Sequence, residues 1–216
     1  MLQAMLSSLP SLWRGLLVTI EVAVIVVVTS LLIGVVFGAV MVYGPLLLRL
    51  IIRLFSDVVR GIPVLVLIFF VYYGLPVTGL NVNNFAAGVT ALVLFSTAQV
   101  TEITRGSLQS IHHGQMEAGK AIGLTFPQRL VYVVFPQAMR RFLPPWINSV
   151  ADAVKGTALL SLVGIVDLML AIQQVIGRTY EPMPLYILGA LIYFVINYSL
   201  SLLSRRLEAR YAHFRE

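Results

Sequence analysis

The sequence predicts an all-α integral membrane protein with five transmembrane helices. Of its 216 residues, 59% are hydrophobic and only 11% are charged. Soluble domains carry about 25% charged residues because their surface faces water. The apolar residues also occur in long runs, and a helix that crosses a bilayer needs about 20 such residues. Composition and run length together therefore predict membrane-spanning helices.

Five apolar runs are long enough to be spans. The strongest covers residues 15–43, and its only charged residue is Glu21, which we expect to extend towards the outer interface. The other runs cover residues 55–75, 83–104, 144–166 and 184–204. We expect the second span to begin before Arg60, because residues 61–75 are too few to cross alone. Pro63 lies where it can bend that span.

Lysine and arginine are concentrated at alternate ends of the spans. Arg49, Arg53 and Arg60 follow the first span, a larger group lies in and around residues 105–141, and four arginines follow the fifth span. Such ends are cytoplasmic in membrane proteins, so we expect the N-terminus outside and the C-terminus in the cytoplasm. The net charge of +6 thus reflects membrane orientation, and we expect no binding of nucleic acid.

The polar segment 105–141 is too polar to span the membrane. Helix-forming residues run from Gln115 to Ile122, Gly123 is a suitable stop, and Pro127 fits the first turn of a second short helix. The segment therefore predicts a helix, a turn and a helix at the membrane surface. An amphipathic interfacial helix is the simpler alternative.

The same segment contains G-x-x-x-x-G-K, ending at Lys120, which matches seven of the eight positions of a phosphate-binding P-loop. Ala121 stands where the Mg²⁺-binding hydroxyl is required, and no apolar strand precedes the first glycine. These two differences argue against a membrane-bound nucleotide hydrolase.

The segment also resembles the loop of ATP-binding-cassette (ABC) importer permeases, which reads E-A-A, three residues, G, nine residues, I-x-L-P. Glu117, Ala118 and Gly119 stand at E-A-A, and Gly123 and Pro136 follow at the spacing of the motif. Gly119 departs from the motif by replacing its second alanine. The flanking stretches VVRGIPVLVLIFFVYYG, TEITRGSLQSI and KGTALLSLVGIVDL are similar to permeases of the polar amino acid uptake subfamily.

The resemblance covers about residues 15–206, and we expect residues 1–216 to form a single permease domain. It implies the type I ABC importer fold in a bacterial inner membrane, with polar or charged amino acids as substrates. The implied partners are a second permease, identical or a sister chain, two ABC ATPase subunits that bind ATP and Mg²⁺, and an extracytoplasmic solute-binding protein. This chain itself would be non-catalytic and carry no cofactor. Its coupling helix would contact an ATPase subunit through Gln115, Glu117, Ala118, Gly119 and Gly123.

Charged residues inside spans are costly and usually face a bundle interior or a watery path. The polar residues that we predict along the substrate pathway are Asp57, Arg60, Gln99, Glu102, Asp152, Lys155 and Thr157. Glu102 with Arg105, and Asp152 with Lys155, are three residues apart and share helix faces, so each pair could equally be a structural ion pair. The subfamily usually has K-D-T-S-L where this chain has K-G-T-A-L, which weakens a substrate role there.

The glycines of the first span, the cysteine and histidine content and the lack of internal repeats give three further expectations. Gly34, Gly38 and Gly44 in the first span predict close helix packing. With no cysteine and three histidines, the chain offers no ligand set typical of a metal site. The alternative function is a stand-alone secondary carrier or channel, but such carriers commonly contain inverted repeats, and no matching halves occur here.

Overall fold

The structure is a computed structural model that describes residues 2–212, with side chains described for residues 8–209. Every regular element in this part of the chain is helical. The α-helices are α1 (Leu2–Tyr43), α2 (Leu46–Gly61), α3 (Val64–Val77), α4 (Asn84–Gln109), α5 (His113–Ala121), α6 (Phe126–Arg129), α7 (Phe135–Thr157), α8 (Leu168–Thr179) and α9 (Pro182–Ala212). A π-helical turn, Leu130–Val134, joins α6 to α7, and a 3₁₀ turn, Ala158–Val163, follows α7.

Three of the described helices are long and apolar enough to cross a membrane: α1, α4 and α9. The number rises to five if each of two bent helix pairs counts as one span. This agrees with the all-α, five-span architecture predicted from the sequence.

The second span is a bent pair of helices. Helices α2 and α3 meet at 106°, and Arg60 lies in the last turn of α2, just before the bend. Pro63 causes the break, because the residue before a proline is driven out of the helical region, and Ile62 is extended with φ −97° and ψ 133°. The predicted bend at Pro63 is confirmed. The pair qualifies as a span only when α2 and α3 are taken together, so the prediction that this span begins before Arg60 stays a prediction.

The fourth span is also not the continuous stretch 144–166. Helix α7 ends at Thr157, and after the 3₁₀ turn the chain turns at Gly164 and continues into α8 at 49° to the preceding helix. The second helix of the loop is not short either, because α6 and the π-helical turn lead directly into α7. Pro136 has no N–H to donate to the carbonyl four residues earlier, which favours irregular helix geometry at this point.

Two glycines allow α1 to pack closely against α4. A Cβ atom on Gly34 would lie 2.6 Å from the Cβ of Val100, and one on Gly38 would overlap Thr104 and lie 2.7 Å from the Thr101 carbonyl oxygen. The predicted packing role is confirmed for these two residues. It is wrong for Gly44, where an added Cβ would meet the chain's own preceding turn at Val40.

Two apolar clusters hold the bundle together. The larger one joins α1, α3, α4 and the 3₁₀ turn and includes the fully buried Val22, Val26, Ile68 and Leu160. The smaller one joins the N-terminal half of α1 to α8 and α9. These clusters fix the positions from which the polar side chains described below extend.

Candidate functional site

Helix α5 forms a short, well-capped element between α4 and α6. His112 caps its start, with its Nδ1 accepting a hydrogen bond of 3.1 Å from the Gly114 N–H. Gly123 ends it in the left-handed region at φ +85°, and its N–H donates to the Lys120 carbonyl at 3.0 Å. A glycine adopts this conformation without strain. The predicted helix and its stop are therefore confirmed, with bounds of His113–Ala121.

Most of the predicted coupling residues lie on the surface of α5. Gln115, Glu117, Ala118 and Gly123 are exposed, whereas Gly119 is buried. The Glu117 carboxylate lies 3.2 Å from His113 Nδ1, and both side chains are largely exposed. The adjoining Ile122 side chain is 77% exposed, so α5 presents charged and apolar groups side by side. Such a mixed surface suits docking to another protein.

The inner side of α5 is held against the start of the α6–α7 helix. Arg129 Nη1 donates to the Met116 carbonyl at 3.4 Å, and Gln137 Nε2 donates to Gln115 Oε1 at 3.4 Å. Arg141 donates to the Ser110 carbonyl at the end of α4. Sequence reasoning used Arg129 and Arg141 only as orientation signals and missed this role.

The same contact involves Gly119, the position where the loop motif departs from its consensus. A Cβ on Gly119 would lie 3.0 Å from Cγ and 3.3 Å from Cδ of Arg129. An alanine methyl group here would contact the alkyl stem of Arg129 closely, and the stem would have to shift by a few tenths of an ångström. Gly119 is therefore a packing position between α5 and the segment that leads into α7.

A charged cluster joins the break between α2 and α3 to the inner half of α4. Glu102 Oε2 accepts from Arg105 Nη2 at 2.6 Å and from Arg105 Nε at 3.0 Å, and it lies 3.7 Å from Arg60 Nη1. Two predicted pathway residues, Glu102 and Arg60, are thus brought together. Gln99 is half-buried nearby on α4. Asp57 is exposed and forms no ion pair with any residue that the structure describes.

Asp152 and Lys155 form the second charged group. Asp152 Oδ1 lies 2.7 Å from Lys155 Nζ, and both side chains are more than half exposed. They line an open cavity of about 420 Å³ between α7 and α9, whose other polar lining residues are Asn148, Asn197, Tyr198 and Ser201. Thr157 is fully buried and its hydroxyl donates to the Val154 carbonyl at 2.9 Å, so it does not reach this cavity.

A buried polar cluster escaped sequence reasoning. Asp167 is fully buried and caps α8, accepting from the Leu170 N–H at 2.9 Å and facing the Tyr193 hydroxyl at 3.4 Å. Thr19 on α1 accepts from the Leu168 N–H at 3.0 Å. An aspartate directly before an apolar helix is a capping signal that could have located this residue. The cluster ties α1, α8 and α9 together and is structural.

The architecture defines the class: this is a helical membrane-spanning protein, with a capped surface helix and a cavity lined partly by polar residues between α7 and α9. The chain belongs to the family of binding-protein-dependent transport system inner membrane components, whose model matches residues 30–213. It is an ABC importer permease, in agreement with its loop motif.

Individual relatives support this assignment over nearly the whole chain. The probable glutamine ABC transporter permease protein GlnP of Bacillus subtilis is 37% identical, over 92% of this chain and 93% of its own length. The glutamine transport system permease protein GlnP of Escherichia coli K12 is 33% identical, over 94% of each chain. A crystal structure of an amino acid ABC transporter with histidines superposes with a TM-score of 0.89 at 32% identity, over 96% of this chain and 97% of that one.

Proposed function

We propose that this chain forms one half of the pathway of an ATP-driven importer that moves polar or charged amino acids into the cytoplasm. The observation that carries the proposal is the exposed helix α5, which presents Glu117 and Ala118 of the loop motif on a rigid support. The two glutamine permeases described above match more than nine-tenths of the chain, which makes glutamine the first substrate to test.

ATP hydrolysis takes place on a separate chain in this proposal. Two ABC ATPase subunits bind ATP and Mg²⁺, a second permease completes the pathway, and a solute-binding protein delivers the amino acid from outside. Closure of the ATPase subunits on nucleotide displaces α5. Its contact with Arg129 transmits the displacement through α6 to α7, which carries Asp152 and Lys155. A capped, anchored helix suits this role because a flexible loop would absorb the movement.

The cavity beside Asp152 and Lys155 has the chemistry that an amino acid requires. A zwitterion presents an ammonium group and a carboxylate, and the pair offers one acceptor and one donor at the mouth of the same cavity. Both side chains are more than half exposed, so water already solvates them in part. A passing amino acid that binds them therefore displaces water and does not have to open a buried ion pair. Weak binding is expected, because tight binding would prevent release.

Reconstitution into liposomes tests the function. The purified chain alone is expected to hydrolyse no ATP and to transport nothing, whereas the complex with its ATPase, second permease and binding protein takes up radiolabelled glutamine when ATP is supplied. Competition by unlabelled amino acids then defines the substrate range. If the chain alone takes up glutamine when a proton or sodium gradient is applied, it is a secondary carrier and the proposal is wrong.

Substitutions of the pathway charges test the cavity. Asp152→Asn and Lys155→Met each remove one charge at an exposed site, so we expect normal abundance but uptake reduced about tenfold, the effect of losing one charge-assisted contact. Glu102→Gln leaves Arg60 and Arg105 without their carboxylate and is expected to lower uptake as well. The matched control is Glu181→Gln, an exposed carboxylate beyond α8, which should keep wild-type uptake. Wild-type rates and substrate preference in all three variants would show that these charges are structural.

Thiol labelling tests the orientation, and the absence of cysteine from the chain gives a clean background. Asn81→Cys and Glu181→Cys, both at exposed turns, are expected to react with a membrane-impermeant maleimide added to intact cells. Gln115→Cys on α5 should react only after the membrane is opened. Reaction of Gln115→Cys in intact cells would reverse the proposed topology.

A further inference from the structure

Helix α2 has three distinct faces. Ile52, Ser56 and Val59 form the buried face that packs on the bundle. Leu50, Leu54 and Val58 lie on the opposite face and are 53%, 66% and 51% exposed. At 100° per residue, Arg49 and Arg53 lie on one flank between these two faces, whereas Ile51 and the partly buried Phe55 lie towards the other flank.

The angle between α2 and α3 sets the position of these faces relative to the membrane. The two helices meet at 106°, so α2 runs close to the membrane plane if α3 runs along the membrane normal. One flank of α2 then faces the bilayer interior and the other faces the headgroups. The apolar flank with Ile51 suits the interior, and the flank with Arg49 and Arg53 suits the headgroups.

The two arginines have no ion-pair partner in the described part of the chain. Arg49 and Arg53 form no ion pair with any residue that the structure describes, whereas Arg60 is engaged by Glu102. Asp57 is exposed on the same side of α2 and offsets part of the charge, which leaves the helix with three arginines and one carboxylate. The surface formed by Arg49, Arg53, Leu50 and Leu54 is therefore basic and apolar at once.

We propose that this surface binds the headgroups of anionic phospholipids in the cytoplasmic leaflet, with the phosphates on Arg49 and Arg53 and the acyl chains along Leu50 and Leu54. A guanidinium group donates to phosphate through several N–H groups, and two arginines one helical turn apart reach one headgroup or two neighbouring ones. The exposed leucines favour a hydrocarbon partner directly beside the arginines. A phospholipid supplies both the phosphate and the hydrocarbon. The choice of the cytoplasmic leaflet rests on the proposed orientation of the chain, whereas lipid binding does not depend on which amino acid is transported.

Native mass spectrometry of the whole purified transporter provides the test. The complex is titrated with dioleoyl phosphatidylglycerol or dioleoyl phosphatidylcholine, and the apparent affinity for each lipid is measured. One basic residue near an anionic surface strengthens binding about fivefold, so Arg49→Gln/Arg53→Gln is expected to weaken phosphatidylglycerol binding about 25-fold and leave phosphatidylcholine binding unchanged. Arg49→Lys/Arg53→Lys keeps the charge and should keep most of the binding.

The control pair is Arg205→Gln/Arg206→Gln on α9, which removes the same charge from another exposed basic site. An unchanged phosphatidylglycerol affinity in the α2 variant, or an equal loss in the α9 control, would overturn the proposal. A photoreactive amino acid in place of Leu54 tests whether another subunit lies on this face of α2. Crosslinking to an ATPase subunit or to the second permease would show that a protein, and not lipid, covers it. If the double variant does not accumulate, Arg49→Gln and Arg53→Gln singly should each cost about fivefold.

Discussion

Glu117→Lys is expected to abolish most ATP-dependent uptake while the subunit remains folded and inserted. The Glu117 side chain is about 70% exposed and its carboxylate lies beside His113, which is exposed as well, so no core packing depends on it. Reversing a charge on the proposed docking surface is expected to replace an attraction with a repulsion, which commonly costs 2 kcal/mol or more, or about 30-fold in affinity. Uptake and ATPase activity are measured in liposomes with all partners present, and abundance is measured on immunoblots.

Gly123→Asp is expected to give the same loss by another route. Gly123 holds φ at +85°, where residues with a Cβ atom add up to about 1–2 kcal/mol of strain, aspartate less than most, although the space around it is open. The substitution therefore redirects the end of α5 without creating a steric clash. Lys120→Ala is the control, because the Lys120 side chain is exposed on the same helix and the bond from the Gly123 N–H uses the Lys120 backbone carbonyl, which alanine keeps. Uptake should therefore stay near wild type.

The coupling assignment fails if either variant, at normal abundance, keeps full transport. It fails equally if uptake falls only in proportion to the amount of protein in the membrane. A Lys120→Ala variant that loses nucleotide binding would instead support the P-loop interpretation.

Gly38→Leu is expected to be the most destabilising substitution in the bundle. Even a Cβ atom at this position overlaps Thr104, and the facing Thr101 carbonyl belongs to the backbone of α4 and cannot rotate away. Overpacking of this kind costs about 1–3 kcal/mol, and more where the backbone itself must move. We expect little subunit in the membrane and, for the detergent-solubilised remainder, a lower melting temperature and earlier loss of the monodisperse peak in gel filtration.

Gly106→Ala is the matched control on α4. No atom lies within 4 Å of a Cβ built on Gly106, and alanine favours a helix over glycine by up to about 1 kcal/mol. Its abundance and melting temperature should equal or exceed those of the wild type. A Gly38→Leu variant with wild-type stability would show that α1 and α4 are not packed as the structure has them.

The sequence alone was sufficient for the elements whose signals are local. Span number followed from the length of the apolar runs, because the thickness of the bilayer sets that length for any helix. The position of α5 followed from Gly123 and from the loop motif, and the bend of the second span followed from Pro63. Each of these signals affects the backbone conformation only within a few residues of its own position.

The tertiary structure alone decided which side chains meet. Arg60 lies beside Glu102 because the chain turns through 106° after α2, and no local pattern specifies the size of that angle. Arg129 and Gly119 are ten residues apart, yet a Cβ atom on Gly119 would lie only 3.0 Å from the Arg129 side chain. Thr157 is buried although it stands two residues after the exposed Lys155 and was predicted along the same pathway. Local propensity determines where a helix starts and stops, whereas the face that it buries depends on partners that lie far away along the chain.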